Sequence, residues 1–101
     1  MPRIQGLTEV YLTGDALLKA AGTVVELHQI VVAAEGATAG NKIVFRNGSD
    51  GAAEPALVVV IEAANQTIPP IMFPQGKRLE AGCFVDFSAV AGKVHLSLTY
   101  K

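Results

Sequence analysis

The chain has 101 residues, a formal charge of −1 and a mean hydropathy of +0.39, with half of its residues hydrophobic. That length suits one compact domain, residues 1–101, and so apolar a chain is not intrinsically disordered, because it can bury enough surface to offset its conformational entropy. Near-neutral charge argues against nucleic acid as a partner, and no apolar run approaches the ~18 residues that would suggest a membrane span.

Turn residues separate short β-prone runs along the chain, the pattern of a sandwich or barrel. Residues 15–21, bracketed by Gly14 and Gly22, contain helix-favouring Ala, Leu and Lys, yet they span only about two turns. A strand or extended arm is expected there. Residues 23–34 predict a long strand with Glu26 and His28 on one face and Val25 and Leu27 on the other. The Ala/Gly-rich residues 33–40 read as a loop tip. Lys42-Ile43-Val44-Phe45-Arg46 and Ala56-Leu57-Val58-Val59-Val60-Ile61 flank the turn-rich Asn47-Gly48-Ser49-Asp50-Gly51, which makes a hairpin the natural reading. The second of these runs is continuously apolar, so it is expected as the core strand, buried on both sides or covered by a neighbouring subunit.

Residues 66–73 contain Pro69-Pro70, which cannot donate ladder hydrogen bonds, so the segment belongs at a sheet edge or leaves the sheet partway. Pro74-Gln75-Gly76-Lys77 reads as a turn. Residues 79–88 predict a strand in which Gly82 could host a bulge and Asp86 interrupts the apolar Phe84, Val85 and Phe87. After Ala91-Gly92, the apolar Val94, Leu96, Leu98 and Tyr100 alternate with polar residues, which marks a half-buried terminal strand. The fold class is therefore all-β: a two-sheet sandwich of about seven to eight strands with jelly-roll or Greek-key connections.

No pattern of catalytic, cofactor-binding or metal-ligating residues emerges. Glu26-Leu27-His28 supplies two candidate ligands on one strand face, too few for a structural zinc site, and His95 alternates with core residues, so all three polar groups read as facing solvent or a partner. Cys83, the lone cysteine, sits between Gly82 and Phe84 and reads as a buried small hydrophobe, not a nucleophile. Asp86 has no second carboxylate placed to share acid–base work, so it reads as an outward-facing residue of an alternating strand. The turn at residues 47–51 has neither the Rossmann spacing nor a P-loop lysine. Asn65-Gln66-Thr67 matches the glycosylation acceptor pattern, but Met1-Pro2-Arg3 does not open like a secretory leader, so synthesis in a reducing cytoplasm is expected.

The order of features resembles small β-sandwich virion structural proteins of tailed bacteriophages. A short first strand (Val10-Tyr11-Leu12-Thr13) precedes a Gly-led long strand from Gly22 to Val32, an Ala/Gly/Thr tip (Ala37-Thr38-Ala39-Gly40) and a strand ending at Asn47-Gly48-Ser49. An apolar strand, a Pro-containing segment reaching Phe73-Pro74, the run Leu79-Glu80-Ala81-Gly82-Cys83-Phe84-Val85 and an alternating last strand complete it. The resemblance implies a non-enzymatic capsid decoration (cement) protein on the virion surface, made in the host bacterial cytoplasm, that self-associates and binds the major capsid protein. A neck or tail adaptor, or a fibre-associated component, is the alternative within the same group, and a carbohydrate-binding β-sandwich is a rival outside it. Capsid decoration at threefold positions implies a trimer, and Ile71, Met72 and Phe73 are expected near the subunit contact unless they cap the monomer's own core.

Overall fold

The structure, a computed structural model, describes residues 6–101. Its strands are β1 (Thr8–Leu12), β2 (Ala16–Leu17), β3 (Val25–Glu35), β4 (Lys42–Asn47), β5 (Glu54–Val60), β6 (Asn65–Leu79), β7 (Phe84–Asp86) and β8 (Lys93–Tyr100), with no helix among the described residues. Four antiparallel pairings, β4 with β5, β3 with β6, β2 with β7 and β1 with β8, make the chain one long hairpin whose tip lies between β4 and β5. That hairpin is rolled up, so that β3 also pairs with β8 and β4 with β7. Two four-stranded sheets result, in the orders β1-β8-β3-β6 and β2-β7-β4-β5. This is the jelly-roll solution to burying one face of each sheet without long crossovers.

Sequence pattern explains most of the packing. In β8 the expected alternation holds, and Val94, Leu96, Leu98 and Tyr100 all face the core. In β3 the buried set changes parity, from Val25 and Leu27 to Ile30, Val32 and Ala34. The change occurs where the register with both β6 and β8 shifts between Leu27 and Gln29, so a bulge turns the second half of the strand to keep apolar side chains inward. The turn before β8 depends on Gly92: its φ is 90°, and a Cβ there would lie 2.2 Å from the Gly36 carbonyl oxygen.

Three expectations change. Residues 74–77 form no turn; β6 continues through them to Leu79, because β3 still offers Leu27, Glu26 and Val25 as pairing partners beyond that point. The surplus residues 73–76 bulge opposite His28, and Pro69-Pro70 makes a second bulge opposite Val31. β6 does lie at a sheet edge, where the prolines' missing donors cost no ladder bond. The strand expected over residues 79–88 is confined to Phe84–Asp86, with Leu79 closing β6 and a turn between them.

The third correction concerns the apolar run at residues 56–61. It is not buried on both sides: β5 is the last strand of its sheet, with Val59 5% exposed but Val58 and Val60 44% and 45% exposed. Val59 lies opposite the buried Ile43, while Val58 and Val60 lie opposite Val44 and Lys42 on the outer face. A continuous β-branched run conceals the period of two that decides which valine is inside. Val59→Asp should therefore yield little soluble protein, since an unpaired buried carboxylate costs several kcal/mol against a total stability of roughly 5–15 kcal/mol. Val58→Asp should fold, with a melting temperature close to that of the parent. Equal loss of soluble protein in both variants would contradict the assigned faces.

Candidate interaction surfaces

The outer face of the β1-β8-β3-β6 sheet follows from register. Glu9 pairs with Thr99 and Tyr11 with Ser97, and across β8 these meet Gln29 and Val31 of β3, with Met72 of β6 beside Gln29. Glu9, Tyr11, Gln29, Val31, Ser97 and Thr99 line an open concavity of about 430 Å³. Tyr11 is 58% exposed and its ring stacks on His95, with centroids 5.8 Å apart and planes 20° apart. Tyr11 Oη and His95 Nδ1 are also hydrogen-bonded, which fixes the orientation of both rings. At the end of this face Glu35 lies 3.7 Å from Lys93 Nζ and 3.9 Å from His95 Nε2.

Of the three residues expected at a subunit contact, Ile71 and Phe73 are half-buried and pack against the core. Met72, between them, points outward and is 63% exposed. The strand period therefore separates the trio that sequence proximity had grouped. Glu26 and His28 stay together: His28 Nε2 lies 3.0 Å from Glu26 Oε1, both half-buried, not freely solvated as the alternation suggested. They sit beneath Gly76, where an added Cβ would fall 2.9 Å from Glu26 Oε1, so the β6 bulge is what covers them. No third ligand joins them, and no cluster of three or more His, Cys, Asp or Glu side chains occurs among the described residues. Arg78 is bonded to Glu80 at 2.7 Å, an exposed contact of small energetic weight.

Cys83 is fully buried, as expected, and burial pushes its thiol pKa up to about 12. A thiol that remains protonated at neutral pH is a poor nucleophile. Asp86 departs from expectation. Its register places it on the outer side of its sheet, opposite Val44, yet it is buried because the connection between β4 and β5 is folded against it. Arg46 Nε donates to Asp86 Oδ2 at 2.9 Å, and Arg46 Nη1 donates to the Ala53 carbonyl at 2.9 Å, tying that connection to the sheet. The signal missed in the sequence was the pair itself, Arg46 and Asp86, which are 40 residues apart and become neighbours through the β4·β7 pairing. Hydrogen bonds from the Ser88 hydroxyl and backbone N–H, aided by Arg46, hold the Asp86 carboxyl below its ordinary pKa of 3.8 despite burial.

No family model matches the chain, and neither the curated proteins nor the solved structures include a significant match. Function must accordingly be argued from these surfaces. They consist of sheet faces and edges, with five large apolar side chains exposed among the described residues: Tyr11 and Met72 on one sheet, Leu17, Val58 and Val60 on the other.

The lowered pKa of Asp86 gives a signed prediction. Stabilisation by its carboxylate is fully present above the unfolded value of 3.8 and is lost as pH falls through the lower folded value. Asp86→Asn should lower stability at neutral pH by about 1–3 kcal/mol, the usual cost of leaving a buried partner unsatisfied. Denaturant titrations should show the gap to the parent closing as pH is taken below 3.8. A pH-independent gap would assign the loss to packing.

Proposed function

We propose that this chain is a virion structural protein of a tailed bacteriophage, a capsid decoration protein that associates with copies of itself and with the major capsid protein. The observation that carries the reading is the exposure of large apolar side chains on the outer faces of both sheets, the surfaces a small sandwich offers to protein partners. The virion assignment rests on the resemblance in the order of sequence features, and the jelly-roll fold is compatible with it. Met72 is the member of the 71–73 trio available to a partner, with Pro69 and Pro70 beside it on the β6 edge to prevent open-ended strand pairing. A formal charge of −1 gives no large field, so shape and apolar burial dominate the contact.

A second reading is favoured by one feature. Tyr11 beside a concavity carrying Gln29, Ser97 and Thr99 combines an aromatic face with hydroxyl and amide groups, the chemistry of a carbohydrate site. Glycan binding that disappears in Tyr11→Ala while the fold is retained would favour it.

Mass spectrometry of purified particles tests the leading reading. The protein should be present at a copy number comparable with that of the major capsid protein. A small fixed number per particle would move it to the neck or tail, and absence from particles would overturn the assignment. Co-sedimentation with capsids should weaken only modestly as salt is raised through the range that screens surface charge. Release of most copies by moderate salt would show that electrostatics, not shape, holds the contact.

A further inference from the structure

The four sheet edges are not equally protected. β1 is five residues long and carries Glu9; β2 has only two residues. β6 carries Pro69, Pro70 and Pro74 and two register shifts. Such features are how proteins prevent an edge from recruiting another strand. β5 has them only at its start, where Glu54, Pro55 and a register shift that skips Ala56 occur; from Leu57 to Ile61 the chain reads Leu-Val-Val-Val-Ile, with no charge and no proline.

The groups left open on β5 can be identified. Ile61 N–H donates to the Asn41 carbonyl at 2.8 Å, and the Ile61 carbonyl accepts from Gly40 N–H at 2.7 Å, so both main-chain groups of Ile61 turn toward the β4 side. Main-chain groups of a strand alternate between its two sides, so those of Val59 also face β4, while those of Val58 and Val60 face away. No described strand lies beyond β5 to receive them. The same two residues carry the exposed side chains, at 44% and 45%. An apolar outer surface and an open row of donors and acceptors therefore coincide on one short segment.

We propose that β5 is a self-pairing edge: two copies of this chain join antiparallel through β5 about a twofold axis, making one continuous sheet from the two β2-β7-β4-β5 sheets. Charge selects the register. An axis at Val58 would place Glu54 of one copy opposite Glu62 of the other, an unfavourable like-charge pair. An axis at Val59 instead places Val58 opposite Val60 of the second copy, where they exchange N–H and C=O hydrogen bonds, and sets Glu62 opposite Ala56. Pairing stops at two copies, because each β5 has one free edge and the far end of the sheet, β2, is only two residues long. This twofold contact is distinct from the β6 face carrying Met72. It rests on the fold and not on the virion assignment.

Sedimentation velocity of the purified full chain over a concentration series tests it. The parent should pass from monomer to dimer as concentration rises, and Val58→Lys/Val60→Lys should remain monomeric throughout while keeping the parent's circular dichroism spectrum. Amide exchange of the parent supplies a readout without mutation: the Val58 and Val60 N–H groups should exchange more slowly in concentrated than in dilute protein, while exposed amides elsewhere do not change. A parent that stays monomeric at every concentration overturns the proposal. So does an oligomer that persists in a folded double-lysine variant, or one that leaves the Val58 and Val60 amides unprotected. Particle composition plays no part in these measurements, so their failure and failure of the virion reading are separable.

Discussion

β3 must face the core along all of its 11 residues while pairing on both sides, with β8 along one edge and β6 along the other. A regular strand with its sequence could not do so. Val25 and Leu27 have one parity and Ile30, Val32 and Ala34 the other, so an unbroken period of two would turn one set outward. The bulge between Leu27 and Gln29 removes the conflict, and the neighbouring strands adapt to it. β8 accommodates it by a single shift in register, whereas β6 forms its own wide bulge over residues 73–76. Gly76, which permits the close approach to Glu26 and His28, is part of that adjustment.

The other sheet is organised around a charge. Arg46 on β4 and Asp86 on β7 stand side by side on its outer surface, and the guanidinium reaches onward to the Ala53 carbonyl. A carboxylate so placed would ordinarily be solvated. Here the connection between β4 and β5 covers it, and the cost of removing it from water is offset by Ser88 and Arg46. The pair also orients the start of β5, because the ladder slips between Phe45 and Arg46 where the side chain turns toward Ala53. The jelly roll thus combines a largely apolar interior with a partly buried ionic contact on the outside of this sheet.

Residues whose environment is decided by local alternation were legible in the sequence. Val94, Leu96, Leu98 and Tyr100, the 42–46 strand and its hairpin partner, the edge position of Pro69-Pro70 and the buried Cys83 all follow from periodicity, proline chemistry or thiol hydrophobicity. Residues whose environment depends on what lies across a sheet were not. Ala56 to Ile61 has no polar residue to mark its outer face, so its place at the end of a sheet was hidden. Pro74-Gln75-Gly76-Lys77 has turn composition, but pairing with β3 kept it in a strand. Asp86 and Arg46 become partners only once the long hairpin is rolled, a topological fact that no window of sequence contains. The trio at residues 71–73 divides for the simplest reason, since adjacent strand residues point to opposite sides.

The rolled hairpin also sets a timetable for synthesis. As the chain leaves the ribosome, the β4–β5 hairpin is the first pairing that can close, whereas β1, made earliest, must wait for β8, made last. Pairings of such separation close slowly, because loop entropy is lost before contacts compensate for it. During that interval Leu57 and Val59 lack the opposing sheet that later covers them, and the nascent hairpin presents apolar side chains on both faces. Rapid, abundant production would then place many half-made hairpins together, a circumstance in which holdase chaperones, more than catalysts of any single folding step, would govern the yield of native protein.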